Sequence, residues 1–274
     1  TQGFQDALTE KLGDKVTFDV QNASGDSATC ATIANSFVTG GYDLILANAT
    51  ASLQAASAAT ADIPIVGTSI TDYATALSIS DWNGTTGINV TGTCDLAPLD
   101  RQAEMVGEVF PDAKNIGIIY CSAEPNSKYQ ADVITGYLTD MGLTVTAYTF
   151  ADSNDIAQVV QNACDANDLL YIPTDNTAAN NTELINNIAL PAGTPILAGE
   201  EGICKGCGAV TLSISYYDIG YAAGEMAYQI LTEGKDPSTM EIETAAAVTK
   251  KYNADICSQL GITVPADYEA VETE

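Results

Sequence analysis

The chain has 274 residues, 46% of them hydrophobic, enough for two domains of ordinary size and too apolar for wholesale disorder. Its formal net charge is -27, from 36 acidic against 9 basic residues, so a phosphate backbone or an anionic membrane surface is repelled, and no nucleic acid partner is expected. There is no histidine and a single arginine, Arg101, which removes the commonest general base and metal ligand and any site built from several guanidinium forks.

From the start, residues 3–12 read as a short amphipathic helix closed by Gly13. Residues 16–20 alternate apolar and polar and read as a strand. A helix over 26–39, ended by Gly40-Gly41, leads to a buried strand at 44–47. An Ala-rich helix over 51–60 precedes a strand at 63–66, and residues 86–90 read as the last strand of this sheet. No strand precedes the first helix, so the pattern is that of a sheet whose first strand is missing, with a signal or anchor region expected before it. The segment 94–99 has no clear pattern. Beyond it come a helix at 101–110 stopped by Pro111, a strand at 116–120, a helix at 128–141 and a strand at 144–150. A helix at 154–163, a strand at 169–172, a helix at 178–188 and strands at 196–198 and 209–214 follow. A helix over 217–231 returns to the first lobe, and the tail from 249 carries a strand and a short helix at 255–260.

Repeated strand–helix–strand order implies parallel sheets with crossover helices. The fold class is α/β: two doubly wound parallel-sheet lobes joined by a hinge. The first lobe takes 1–94 and 216–243, the second 98–213 and 244–274, with hinge segments near 93–99, 213–217 and 244–250. No apolar stretch reaches the ~20 residues a membrane-spanning helix needs.

Seven cysteines, an odd number spread along the chain, are no disulfide framework, and buried free thiols are expected. Cys204-Lys205-Gly206-Cys207 has C-x-x-C spacing, but no second pair or histidine accompanies it. Zinc is not expected there, while buried thiols and a local disulfide both stay open. No metal or other cofactor is called for. G-x-S-x-G, P-loop and G-x-G-x-x-G motifs are absent, and no enzyme is expected. Cys121, at a strand end, could serve as one thiol of a two-cysteine racemase, but the first lobe has no matching cysteine after Leu46 or Val66.

Three apolar strands run into small polar groups. These are Gly67-Thr68-Ser69-Ile70-Thr71-Asp72, Cys121-Ser122-Ala123-Glu124-Pro125-Asn126-Ser127 and Pro173-Thr174-Asp175-Asn176-Thr177. The carboxyl ends of parallel strands are where open α/β sheets bind ligands. Together with Gly87-Ile88-Asn89-Val90-Thr91-Gly92-Thr93, Glu200-Glu201-Gly202 and Ser215-Tyr216-Tyr217-Asp218-Ile219-Gly220, these stretches run in family order across almost the whole chain. The chain thereby resembles the tryptophan/tyrosine-type substrate-binding proteins of ABC importers. That resemblance implies a type I periplasmic-binding-protein fold with three crossovers. It implies a monomer, lipid-anchored at the cell surface or periplasmic, that binds an amino acid between its lobes and delivers it to a permease. A ligand-sensing lobe of a receptor is the other reading that shares the fold.

For an amino acid ligand, Ser122, Asn126 and Ser127 suit the carboxylate, with Glu124 in the same loop. Asp175 suits the ammonium, with Glu201 as second choice and Asp72 from the other lobe. Thr68, Ser69, Thr71, Thr174, Asn176 and Thr177 add hydrogen bonds, as do Asn48 and Thr50 after the 44–47 strand. Ile70 and Tyr216 offer an apolar slot for a ring. The same residue types at strand-to-helix junctions are ordinary N-caps, so each has two readings, cap or contact.

Overall fold

The computed structural model describes residues 1–272. In chain order the first elements are α1 (Gln2–Leu12), α2 (Ser27–Gly40), β1 (Ile45–Asn48), α3 (Thr50–Ala59), β2 (Ile65–Ile70), α4 (Tyr73–Leu77) and β3 (Val90–Cys94). Then come α5 (Leu99–Val109), β4 (Asn115–Cys121), α6 (Pro125–Asp140), β5 (Thr144–Phe150), α7 (Ile156–Ala166), β6 (Leu169–Ile172), α8 (Asn176–Ala179), α9 (Thr182–Ala192), β7 (Ile196–Ala198), α10 (Glu201–Gly206) and β8 (Val210–Ser213). The remainder is α11 (Tyr216–Glu233), β9 (Glu243–Thr244), β10 (Thr249–Tyr252), α12 (Ala254–Leu260) and β11 (Glu269–Ala270). Two compact units result: Thr1–Leu96 with Ser215–Ala246, and Ala97–Ile214 with the residues from Ala247 on.

The first unit holds a parallel sheet of order β1-β2-β3-β9. Alternation along its strands feeds two cores. Ile45, Ala47, Ile65 and Val90 join Leu53 and Ala56 of α3 and Tyr73 of α4 in one core. Val66, with Leu44 and Leu46, joins Phe4 and Leu8 of α1 and Ala223, Ala227 and Ile230 of α11 in the other. A sheet covered on both faces needs apolar side chains on both, as these strands supply. Local signals set the ends of the helices: Asp26 caps α2 by accepting from the Thr29 N–H at 2.7 Å, and Gly41 closes it in the left-handed region at φ 70°.

The second unit holds a sheet of order β11-β10-β8-β7-β6-β4-β5, parallel except that β10 runs antiparallel to β8. After β4 the chain moves outward to β5, then returns to β6 on the other side of β4. This reversal makes the carboxyl ends of β4 and β6 the switch point of the sheet, the position at which α/β sheets bind ligands.

Several expected elements fall elsewhere. Residues 16–20 form no strand. A strand needs a neighbour to take its backbone groups, no described strand pairs with this segment, and Phe18 and Val20 are exposed. The strand expected at 86–90 lies at Val90–Cys94, beyond a bend at 87–89. β2 continues through Thr68, Ser69 and Ile70 instead of ending at Val66, with its register shifting between Gly67 and Ile70 and Ser69 at φ 56°. That is a bulge, which bends a strand and re-aims its side chains. α6 starts at Pro125, so Asn126 and Ser127 lie in its first turn and not in a loop; proline's fixed φ suits a helix start. The helix expected at 178–188 is broken at Asn180–Asn181 into α8 and α9.

Candidate ligand-binding site

In the second unit the switch-point residues are tied mainly to one another. Asp175, 1% exposed, caps α8 by accepting from the Ala178 N–H at 2.8 Å, and its other oxygen accepts from the Cys121 N–H at 2.7 Å. Burial first, then the neighbouring Glu124 charge, push its carboxyl up to about 6. Glu124 accepts from five donors: the backbone and side-chain amides of Asn176 at 2.9 and 2.8 Å, the Thr177 N–H and hydroxyl, each at 2.8 Å, and the Asn126 side-chain amide at 3.4 Å. Asn126, Ser127 and Gln130 all donate to the Thr174 carbonyl, at 3.0, 3.2 and 3.3 Å. Ser122 donates to the Phe150 carbonyl at 3.2 Å. Glu201 opens α10 and takes both the Lys251 ammonium, at 2.9 and 2.8 Å, and the Ser213 hydroxyl at 2.6 Å; burial raises its pKa, but these partners leave it lowered overall. The expected ammonium partners in this unit thus already have acceptor duties. Burial raises the Cys121 thiol, the opposite of what an activated nucleophile needs.

In the first unit the strand ends form a hydroxyl-rich group. Asn48 closes β1 and donates to the Thr1 hydroxyl at 3.2 Å. Ala49 then turns at φ 73°, a left-handed conformation costly for a residue with a Cβ, and hands the chain to α3 at buried Thr50. No side chain caps α3, so its first N–H groups face outward from the helix with their share of the dipole. The Ala49 N–H bonds the Thr68 carbonyl at 3.1 Å, which brings the α3 start beside Thr68 and Ser69. The Thr93 hydroxyl donates to that of Thr68 at 3.1 Å. Asp72 caps α4 through the Thr75 N–H at 2.6 Å. Gly67 and Gly92 face each other across β2 and β3 beneath the buried Tyr73, whose hydroxyl a Cβ at either position would strike. Ile70 is fully buried.

One residue the sequence reading passed over organises the end of this sheet. Asp95, 4% exposed, accepts from the Thr71 hydroxyl at 3.1 Å and the Tyr216 hydroxyl at 3.2 Å. Burial lifts its carboxyl to about 6, against the pull of those two bonds. Beside it the Cys94 thiol donates to the Thr71 carbonyl at 3.1 Å, and burial raises this thiol to about 12. The signal was faint: one acid in a segment with no periodicity.

A two-unit α/β architecture with polar groups at the carboxyl ends of its parallel strands is the architecture of the periplasmic-binding type. The chain matches the family model for ABC transporter substrate binding proteins over residues 1–272 and belongs to that family. It is 36% identical over 262 residues to the Tyrosine-binding protein of Clostridioides difficile (strain R20291), covering 94% of this chain and 75% of the relative. Among solved structures, the ABC domain in complex with L-Trp from Streptococcus pneumonia has a TM-score of 0.93 at 30% identity, over 98% of this chain and 93% of the other. A ligand-free, open structure of a substrate binding protein with adhesive properties from Clostridium difficile has a TM-score of 0.75 at 34% identity, over 100% and 94%. The fold is the type I periplasmic-binding-protein fold.

Proposed function

We propose that this chain is the extracytoplasmic receptor of an ABC importer, that it binds an aromatic α-amino acid (Trp, Tyr or Phe), and that it delivers this ligand to a membrane permease. The observation that carries the reading is the relation, over nearly the whole chain, to one protein described as tyrosine-binding and to another solved with L-Trp. The strand-end chemistry agrees with it. A carboxylate can be met by the uncapped N–H groups of α3 together with Thr50 and Ser69, a solution that needs no arginine. The Tyr216 ring is proposed as the apolar surface for the ligand's ring, whereas Ile70, expected to share that role, is fully buried in the core of its sheet. Thr68, Thr71, Asn48 and the second-unit residues Ser122, Glu124, Asn126, Ser127, Thr174, Asp175, Asn176, Thr177 and Glu201 are proposed as direct contacts or as the framework holding them. The receptor is proposed to act as a lipid-anchored monomer.

A thermal-shift panel of the twenty amino acids with nucleosides and sugars tests the reading, because a ligand stabilises the state that it binds. The expected outcome is a large shift with Trp, Tyr or Phe and none with sugars. Shifts confined to sugars or nucleosides would keep the fold and discard the ligand class.

A further inference from the structure

We propose that Asp95 is the counter-ion of the ligand's ammonium group and so the residue that makes the site selective for α-amino acids over the corresponding carboxylic acids. The inference rests on the amino acid reading above and sharpens it.

The argument begins with the other strand-end carboxylates. Asp175 serves two backbone amides, Glu124 serves five donors, and Glu201 is already paired with Lys251. Asp72 caps α4. Asp95 differs in that no helix start depends on it and its side-chain partners are hydroxyls, which can turn toward a ligand, rather than helix amides. Its side-chain partners are two neutral hydroxyls, Thr71 at 3.1 Å and Tyr216 at 3.2 Å, and its own backbone N–H is the one amide that it accepts from. No ion pair among the described residues includes it. The neighbouring Cys94 thiol and Tyr73 hydroxyl are held neutral by burial, and Asp72, which acts on the same thiol, brings no positive charge. A carboxylate buried without a cation is costly, and a protein that keeps one gains when a cation arrives. The raised affinity of Asp95 for a proton shows the same deficit.

A primary ammonium answers this arrangement. It brings one positive charge and three donors, and Asp95 can accept the first of these. The hydroxyl oxygen of Thr71, which donates to Asp95, keeps a lone pair for a second. Thr71 follows the β2 bulge that also carries Ser69, so groups suited to the ammonium and to the carboxylate lie on one short segment. An amino acid carries its two charges on one carbon and requires such closeness.

The test is calorimetric titration of the full chain and its Asp95→Asn variant. The ligands are whichever of L-tyrosine and L-tryptophan binds and its analogue lacking the amine, 3-(4-hydroxyphenyl)propionate or indole-3-propionate. Wild type is expected to prefer the amino acid by about 100-fold or more, the range of a broken buried charge pair. Asp95→Asn is expected to reduce that preference to under about tenfold while leaving the affinity for the analogue little changed. A preference as large in the variant as in wild type would overturn the proposal, because a merely structural role for Asp95 would weaken both ligands alike. Should Asp95→Asn not fold, Asp95→Ser carries the same comparison. If wild type binds no α-amino acid, the parent reading fails first and this one falls with it; binding of L-tyrosine with an unchanged ratio in the variant sinks this proposal alone.

Discussion

Replacing Asp175 by alanine would strip two amides of their acceptor at once, the Ala178 N–H that opens α8 and the Cys121 N–H at the end of β4. A lost cap costs about 1 kcal/mol and an orphaned buried amide about 1–3 kcal/mol. Against this stands relief from holding a buried carboxylate whose pKa is raised to about 6. A raised folded-state pKa means that the wild-type side chain contributes most below its unfolded value and loses that contribution as pH rises through about 6. Asp175→Ala is therefore expected to cost about 2–4 kcal/mol near pH 5 and clearly less near pH 7, measured by denaturant unfolding at the two values. An equal cost at both would show that Asp175 has no raised pKa. The same variant bears on the ligand: with Asp95 holding the ammonium, its affinity for the amino acid is expected to fall by less than about tenfold. A loss of several hundredfold would return the ammonium to Asp175. Of the residues proposed for the site, Thr71 and Tyr216 stand out in sequence by their place beside strand and helix ends. Asp95, which joins them, does not, because a buried acid in an irregular segment leaves no periodicity and takes its meaning from partners 24 and 121 residues away.

Elements were most legible where sequence and geometry share a local signal. Asp26 and Gly41 bracket α2, Ser215 and Gly234 bracket α11, and Asn253 and Gly261 bracket α12, each an N-cap and a left-handed glycine. The short helices α4 and α10, of 5 and 6 residues, were not foreseen, since one turn and a half carries too little periodicity. Their caps, Asp72 and Glu200, lie in polar strand-end stretches, where an N-cap and a ligand contact look the same in sequence. The strand expected at 16–20 failed for another reason: alternation shows that a segment could pair, whereas pairing needs a neighbour. Packing adds a constraint invisible in sequence at the α1–α11 contact. A Cβ on Gly224 would lie 2.7 Å from the Ala7 Cβ and 2.8 Å from the Phe4 carbonyl oxygen. Neither neighbour is a flexible side-chain end, so the helices would have to separate. Gly224→Leu is expected to cost about 1–3 kcal/mol, with hydrogen-exchange protection lost first along α1. Protection unchanged in α1 would mean that the contact tolerates a side chain.

At the scale of the whole molecule the question is how a chain with a formal net charge of -27 responds to acid. Two effects favour folding as pH falls from 7 towards 5. Asp95 and Asp175, both raised to about 6, take up protons in the folded state before they do so unfolded, and the general self-repulsion begins to relax. The opposing groups act at lower pH. Asp168, held down by the Lys114 and Asn115 amides, and Glu201, held down by Lys251 and Ser213, lose their contributions only as pH falls through their depressed folded values. The unliganded protein is therefore expected to melt highest on the acid side of neutrality, at roughly pH 4.5–6, rather than at pH 7. Salt separates the two favourable effects. One molar salt shortens the screening length to about 3 Å and raises the melting temperature through exposed charges, but does little for a buried carboxylate. A rise in melting temperature between pH 7 and 5 that persists in high salt, and that shrinks in Asp95→Asn, assigns it to the buried acids. A rise that high salt abolishes assigns it to surface repulsion. Ligand reverses the sign for Asp95, because an ammonium favours its ionised form. The stabilisation given by a fixed excess of amino acid is accordingly expected to diminish as pH falls through about 6, while wild type without ligand becomes more stable over the same interval.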